Sequence, residues 1–469
     1  LTALAPCAVL LGSARAEGGI VALCESAATL APPLRQTVEA IQRSLAAGQP
    51  CAALAQHLGA KALSLSAVEV DLAPLSEFRE LEMLDLYYEH LRSDLRPLAA
   101  LRKMTYFHAQ CSAFNACTVA DVASLGALTQ VTNLSFALYN ETWDTRILAP
   151  LRDLEQLAIP GNQVLRIDGV AALEKLRVLG LSSNGISDLA PLHQLVSLQM
   201  LTVNDNPFPD IDWAMSLVNV RDLNLSSNKQ LESIWGVRYM MNLATLDLSG
   251  TNLKSIAPLA ELPWLTWVRL SQNRKVTDWQ VLESLPRLAG ISLDATNVPL
   301  DLLDRLPKEK LTSLVVSELG LQSLAFATRY ALSQLIFDNN EIKDLAPLAK
   351  IPTLRSLMGH RNQVSDLTAL ASLPDLSSLT MSNNQIRDVA PLAGLESLRS
   401  LTLQDNQITS LEALANHPGL ETLEVSGNQI TDLSVVKTMP KLRQLHACGN
   451  PLADKTCPRA DLWICRTDC

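Results

Sequence analysis

The tripeptide Asn384-Gln385-Ile386 returns as Asn406-Gln407-Ile408, twenty-two residues on, and the leucines in between keep the same order. That recurrence constrains the fold more than any other property of the chain. A unit of this length is one supersecondary element that cannot bury its own apolar face, so neighbouring units must stack and share a core. The full pattern is L-x-x-L-x-L-x-x-N-x-I. It starts at Leu176 and recurs at Leu198, Val220, Leu243 and onward to Leu442, at intervals of twenty-one to twenty-three residues. An earlier unit starts at Leu154, and looser ones start near Ala62, Leu81, Met104 and Val131.

Each position in the unit has a physical reason. The L-x-L segment reads as a short strand whose alternate side chains, at positions 4 and 6, point into the core. Position 9 is Asn in most units, and its amide can satisfy backbone groups where the chain leaves the strand. Stacked units then carry a ladder of such amides. Thr251, Thr296 and Leu319 interrupt it, and local distortion is expected there. The return limb, as in Asp188 to Leu192, contains Pro and is too short for a full helix, so short 3-10 or extended turns are expected. This is the leucine-rich repeat signature. The fold class that follows is an α/β repeat solenoid, a right-handed superhelix with a parallel concave β-sheet and a 3-10 or extended convex side. About eighteen coils at ~4.8 Å per strand give an arc on the order of 80 Å.

Aromatic residues are only 4% of the chain, which suits many thin leucine-packed layers. A net charge of −10 argues against a nucleic-acid partner, since phosphate binding needs a basic face. No stretch approaches the ~20 apolar residues of a membrane span. The opening LTALAPCAVLLGSARA runs apolar through Leu11 and ends in Ala14-Arg15-Ala16, an A-x-A cleavage pattern. An export leader over residues 1–16 is expected. Pro6 and the apolar run beyond Cys7 disfavour acylation at that cysteine. The remaining cysteines suit an oxidising compartment and fall in three places. Cys24 and Cys51 lie near the front, Cys111 and Cys117 together, and Cys448, Cys457, Cys465 and Cys469 at the end. They read as staples for the ends of an array, with Cys111 and Cys117 clipping a loop. The expected organisation is a helical cap over 17–60, the array over 61–447 with an irregular stretch at 83–147, and a stapled closing cap over 448–469.

The I-x-D-L-x-P-L-x-x-L runs, such as Ile186 to Leu192 and Ile342 to Leu348, resemble those of secreted bacterial leucine-rich repeat proteins of the 22-residue, internalin-like class. The segment TVEAIQRSLAAGQPCAALAQHL resembles the helical cap that precedes such arrays, and GNPLADKTCPRADLWIC resembles the cap that closes them. The resemblance implies a Cys24–Cys51 disulfide in the first cap and a Cys457–Cys465 pair in the second. Cys448 and Cys469 are extra to that pattern and are taken as a further pair. It also implies a binding surface rather than an enzyme.

No nucleophile elbow, phosphate loop, zinc-protease or dinucleotide motif is present. The seven histidines are scattered, and the C-terminal cysteines lack the paired knuckles of a zinc site. No metal or cofactor is expected. The function expected is non-enzymatic recognition of a protein, or of a glycan, in a secreted, periplasmic or cell-surface setting. A structural spacer of the cell envelope and a cytosolic phosphatase-regulator-like repeat are the competing readings. Positions 3, 5, 7 and 8 face the concave side. At position 5, Val315, Ile336 and Met358 fall in consecutive coils and form an apolar stripe, with Trp267 and Arg269 on one flank and His360 and Arg361 on the other. A second candidate is the aromatic collection of residues 83–147, with Tyr87, Tyr106 and His108 as its exposed members. Trp213, Trp235 and Trp279 are expected to pack on the convex back.

Overall fold

The computed structural model describes residues 19–91, 95–111, 118–119, 121–137 and 143–468. The expected leader, Cys7, Cys117, Tyr139 and Cys469 lie outside the described residues. The chain divides into two compact units, one ending at Asn206 and the other beginning at Pro207.

The first unit opens with helices α1 (Ile20–Glu25) and α2 (Pro32–Ala46), followed by a 3-10 turn, Cys51–His57. Pro32 stands in the first turn of α2, where a missing N–H costs nothing. Val38 and Ile41, one turn apart, are fully buried. The Cys24–Cys51 disulfide ties α1 to the turn, with Cα atoms 5.6 Å apart. The helix also satisfies backbone at the end of the first strand, where Thr37 Oγ1 accepts the Asp71 N–H at 2.9 Å. Parallel strands then follow in one register, which lines up Leu63, Leu84, Phe107, Leu134, Leu157, Leu179 and Leu201 as a core row. In the stretch 83–147 the described strands vary in length: Met83–Leu91, Tyr106–Cys111 and Asn133–Ala137 are longer than the three-residue strands that follow, and Thr118–Val119 is shorter. Cys111 is disulfide-bonded.

The second unit repeats the design with three-residue strands from Asp222–Asn224 to Gln444–His446. Ile464–Arg466 adds a last parallel strand, pairing Leu445 with Cys465. Cys465 is bonded to Cys457, and Cys448 is also disulfide-bonded. Most return limbs in both units are single 3-10 turns such as Ala190–Gln194 and Ala346–Lys350, and Arg96–Ala99 is a single α-helical turn. An aspartate two residues before caps many of them, as Asp344 Oδ1 does by accepting the Ala346 N–H at 2.7 Å.

The asparagine ladder is present. Asn384 donates to the carbonyls of Gly359, Met381 and Ser382, and its Oδ1 accepts the Val364 N–H at 3.0 Å. The preceding residue, position 8, takes a left-handed backbone, as at Ser183, Asn339, Asn383 and Asp405. This turns the chain out of the strand. The interruptions do not distort the sheet. The Thr251 hydroxyl lies 2.7 Å from Asn273 Oδ1 and 3.0 Å from Leu248 O, which share its one hydrogen, Thr296 Oγ1 donates to Leu293 O, and the amide of Leu319 is met by Asn340 Oδ1. A hydroxyl or the next asparagine supplies the lost bonds, and the strands stay in register across all three coils.

Of the three tryptophans expected to pack, Trp213 is half-buried and only Trp235 departs from the expectation. Trp279 is buried, with its indole N–H donated to Asn297 Oδ1, but Trp235 is 52% exposed, with the Arg238 guanidinium 5.1 Å over its ring.

Candidate functional site

Alternation along each strand sends position 4 into the core and positions 3 and 5 to the opposite, open face of the sheet. In the second unit the pairing sets Val315 beside Ile336 and Ile336 beside Met358 on adjacent strands. All three are half-buried by their neighbours, so the stripe is continuous but shallower than a fully exposed patch.

Trp267 and Arg269 lie on the strand two coils back. The Trp267 indole rests over Gly290 of the adjacent strand, where a Cβ would stand 2.0 Å from the ring. The Arg269 guanidinium sits 5.4 Å from the Trp267 ring and 3.9 Å from Asp247. The indole N–H of Trp267 is shielded from solvent and has no hydrogen-bond partner.

Two places beyond the apolar stripe, position 7 carries a polar row that a reading of position 5 does not reveal. Asp294 Oδ2 accepts from the hydroxyls of Ser271 at 2.9 Å and Ser292 at 2.7 Å, and its Oδ1 accepts the Ser317 N–H at 2.8 Å. Asp338 Oδ1 accepts the His360 N–H at 2.6 Å. Burial pushes the Asp338 carboxyl above its ordinary value. The Asp294 charge adds to the effect, and the amide and imidazole of His360 oppose it. The same register, read at position 7, is the sequence signal for this row. His360 therefore belongs to an acidic edge along the stripe. Arg361 is exposed and stands at the turn position, with φ of 50°.

The open face thus combines an aliphatic strip, a cation stacked on an indole and two fixed carboxylates. That set can hold an amphipathic surface: apolar side chains along the strip, a basic group at Asp294 and Asp338, and an acidic one at Arg269.

In the first unit, Tyr87 is 39% exposed and meets His108 edge-on, ring centroids 5.8 Å apart. Tyr106 is half-buried, and burial together with the nearby Asp85 charge raises its hydroxyl above the ordinary value. Tyr88 is fully buried and belongs to the core. Among the described residues no group of three or more His, Cys, Asp and Glu side chains is placed to hold a metal ion. No helix among them is long and apolar enough to cross a membrane.

Residues 374–416 match a family described as leucine-rich repeats in two copies, and residues 396–452 match one described as leucine-rich repeat. A leucine-rich repeat protein of Leptospira interrogans is similar in structure: it is 21% identical, the match covers 86% of this chain and 94% of that one, and the TM-score is 0.52. TLR13, solved in complex with ssRNA13, is 19% identical over 87% of this chain and 63% of that one, with a TM-score of 0.60. An internalin of Listeria monocytogenes is 25% identical over 68% of this chain and 87% of that one, with a TM-score of 0.48. No curated protein sequence matches the chain. With the repeat period, the asparagine ladder and the parallel sheet on the page, the likeness to the first two structures makes this chain a leucine-rich repeat solenoid.

Proposed function

We propose that the chain is an exported, non-enzymatic recognition protein that holds a protein partner on the open face of its sheet. One observation carries the reading: Val315, Ile336 and Met358 run side by side through three paired strands, and the Asp294–Asp338 row borders them. Side chains at these positions point away from the core and only partly cover one another, so their apolar character suits a contact outside the fold. The Trp267–Arg269 pair adds the residue types most enriched where binding energy concentrates. Export is supported by the Cys24–Cys51 and Cys457–Cys465 disulfides, which persist in an oxidising compartment.

The test is a photo-crosslinking amino acid placed at Ile336, with a second placed at Lys350 on the return limb as control, in cultures of the producing cells and in the fluids they meet. A discrete protein adduct is expected from Ile336 and none from Lys350. The triple variant Val315→Ser, Ile336→Ser, Met358→Ser should keep the wild-type unfolding transition within about 1 kcal/mol, because position 5 lies off the core, and should lose the partner. Equal adducts from both sites would defeat the reading, as would a triple variant that retains the partner. A triple variant that no longer unfolds cooperatively would show that the stripe belongs to the core.

A further inference from the structure

The first unit contains a cavity of about 640 Å³ between the return limbs of two neighbouring coils, those whose strands are Asn133–Ala137 and Gln156–Ala158. Its volume lies in the ~300–1,000 Å³ range of small-ligand sites. Among the described residues, Trp143, Asp144 and Arg146 form one wall, and Gln163, Leu165 and Arg166 face them with Asp168.

The walls are held in place from beneath. Thr145 is fully buried, and its hydroxyl donates to Arg166 O at 3.1 Å and accepts the Gly169 N–H at 3.2 Å. The two limbs approach so closely that a Cβ at Gly169 would stand 2.0 Å from the Thr145 carbonyl oxygen. Above this pin the charges pair within each wall. Arg146 Nε donates to Asp144 Oδ2 at 2.6 Å, and Arg166 Nε donates to Asp168 Oδ2 at 2.9 Å. Each arginine holds its aspartate below the ordinary carboxylate value. Among the described residues the two arginines balance the two aspartates, and the four groups keep one protonation state over the physiological range.

That balance offers no steering to a phosphate or an ammonium group. What remains is a half-buried indole and a leucine that is 58% exposed, set among planar groups whose directions are fixed. Guanidinium groups donate, carboxylates accept, and the Gln163 amide does both. A saccharide has the complementary chemistry: apolar C–H faces for the Trp143 ring and Leu165, and hydroxyls that both donate and accept around its rim.

We propose that this cavity is a binding site for a neutral saccharide, separate from the strand-face site and independent of it. The full chain would be titrated calorimetrically with maltotriose, cellotriose, lactose and tri-N-acetylchitotriose, at low salt and at ~0.5 M salt. At least one sugar is expected to bind, with affinity changed less than about twofold by salt. Trp143→Ala and Arg166→Ala should each weaken it at least about tenfold, whereas the Val315, Ile336, Met358 triple serine variant should bind as wild type. Gln163 and Arg166 are exposed, so Gln163→Ala and Arg166→Ala keep the test valid if Trp143→Ala fails to fold. The proposal is overturned if none of the four sugars binds, if binding survives both Trp143→Ala and Arg166→Ala, or if affinity falls steeply with salt as for an anion.

Discussion

Asn406 shows at single-residue scale why the repeat can be read so directly. Its amide donates to the carbonyls of Met381, Leu403 and Gln404, and its Oδ1 accepts the Ile386 N–H at 3.0 Å. One side chain thus completes backbone bonds in two coils, and water cannot replace it because Asn406 is 7% exposed. Asn406→Ala is expected to cost roughly 2–4 kcal/mol, since it strands a buried donor and buried acceptors together. Gln404→Ala, at an exposed place two residues earlier, should stay within about 0.5 kcal/mol. Urea midpoints measure both, and equal shifts would remove the ladder from the account of stability. The same scale marks where the consensus stops being a guide. Gly359 stands at a core position where leucine is usual, because the Phe337 ring fills that space: a Cβ there would lie 2.4 Å from Cζ.

Individual return limbs are less legible than strands, because each is closed by its own contacts. The limb after the turn Glu412–Leu414 is closed by His417, which is 2% exposed and whose Nδ1 accepts the amides of Gly419 and Leu420 at 3.2 Å. Burial holds its imidazole below the ordinary value; the Arg399 charge adds to this, and the carbonyls of Leu392 and Leu395 oppose it. The unfolded chain therefore takes up the proton first as pH falls. The stabilising contribution is complete above the ordinary histidine value of about 6.5 and is lost as pH drops through the lower folded value. Urea midpoints should fall between about pH 7 and about pH 5 in the wild type and fall less in His417→Asn, which keeps an acceptor for the two amides. Parallel slopes in the two proteins would rule out this histidine as the source.

Over the whole molecule, the ends are the exposed flanks of any stacked array, and both carry covalent ties. The Cys24–Cys51 bond closes twenty-seven residues of sequence and contributes roughly 3–4 kcal/mol to the cap in the chain-entropy account. Reduction is expected to raise hydrogen exchange first in α1 and α2 and in Ile464–Arg466, with the strands from Leu314 to Leu401 unchanged. Uniform deprotection would mean that the caps do not set the stability of the ends. The period determined the strands, their register, the leucine core and the amide ladder, and it limited the return limbs to short turns. All of these repeat a local rule that most coils obey, so each copy supports the others. Only tertiary structure decided what the exceptions do. The Asp294–Asp338 row, the exposure of Trp235, and the cavity pinned by Thr145 and Gly169 depend on how side chains from neighbouring coils meet, and no single repeat contains that information.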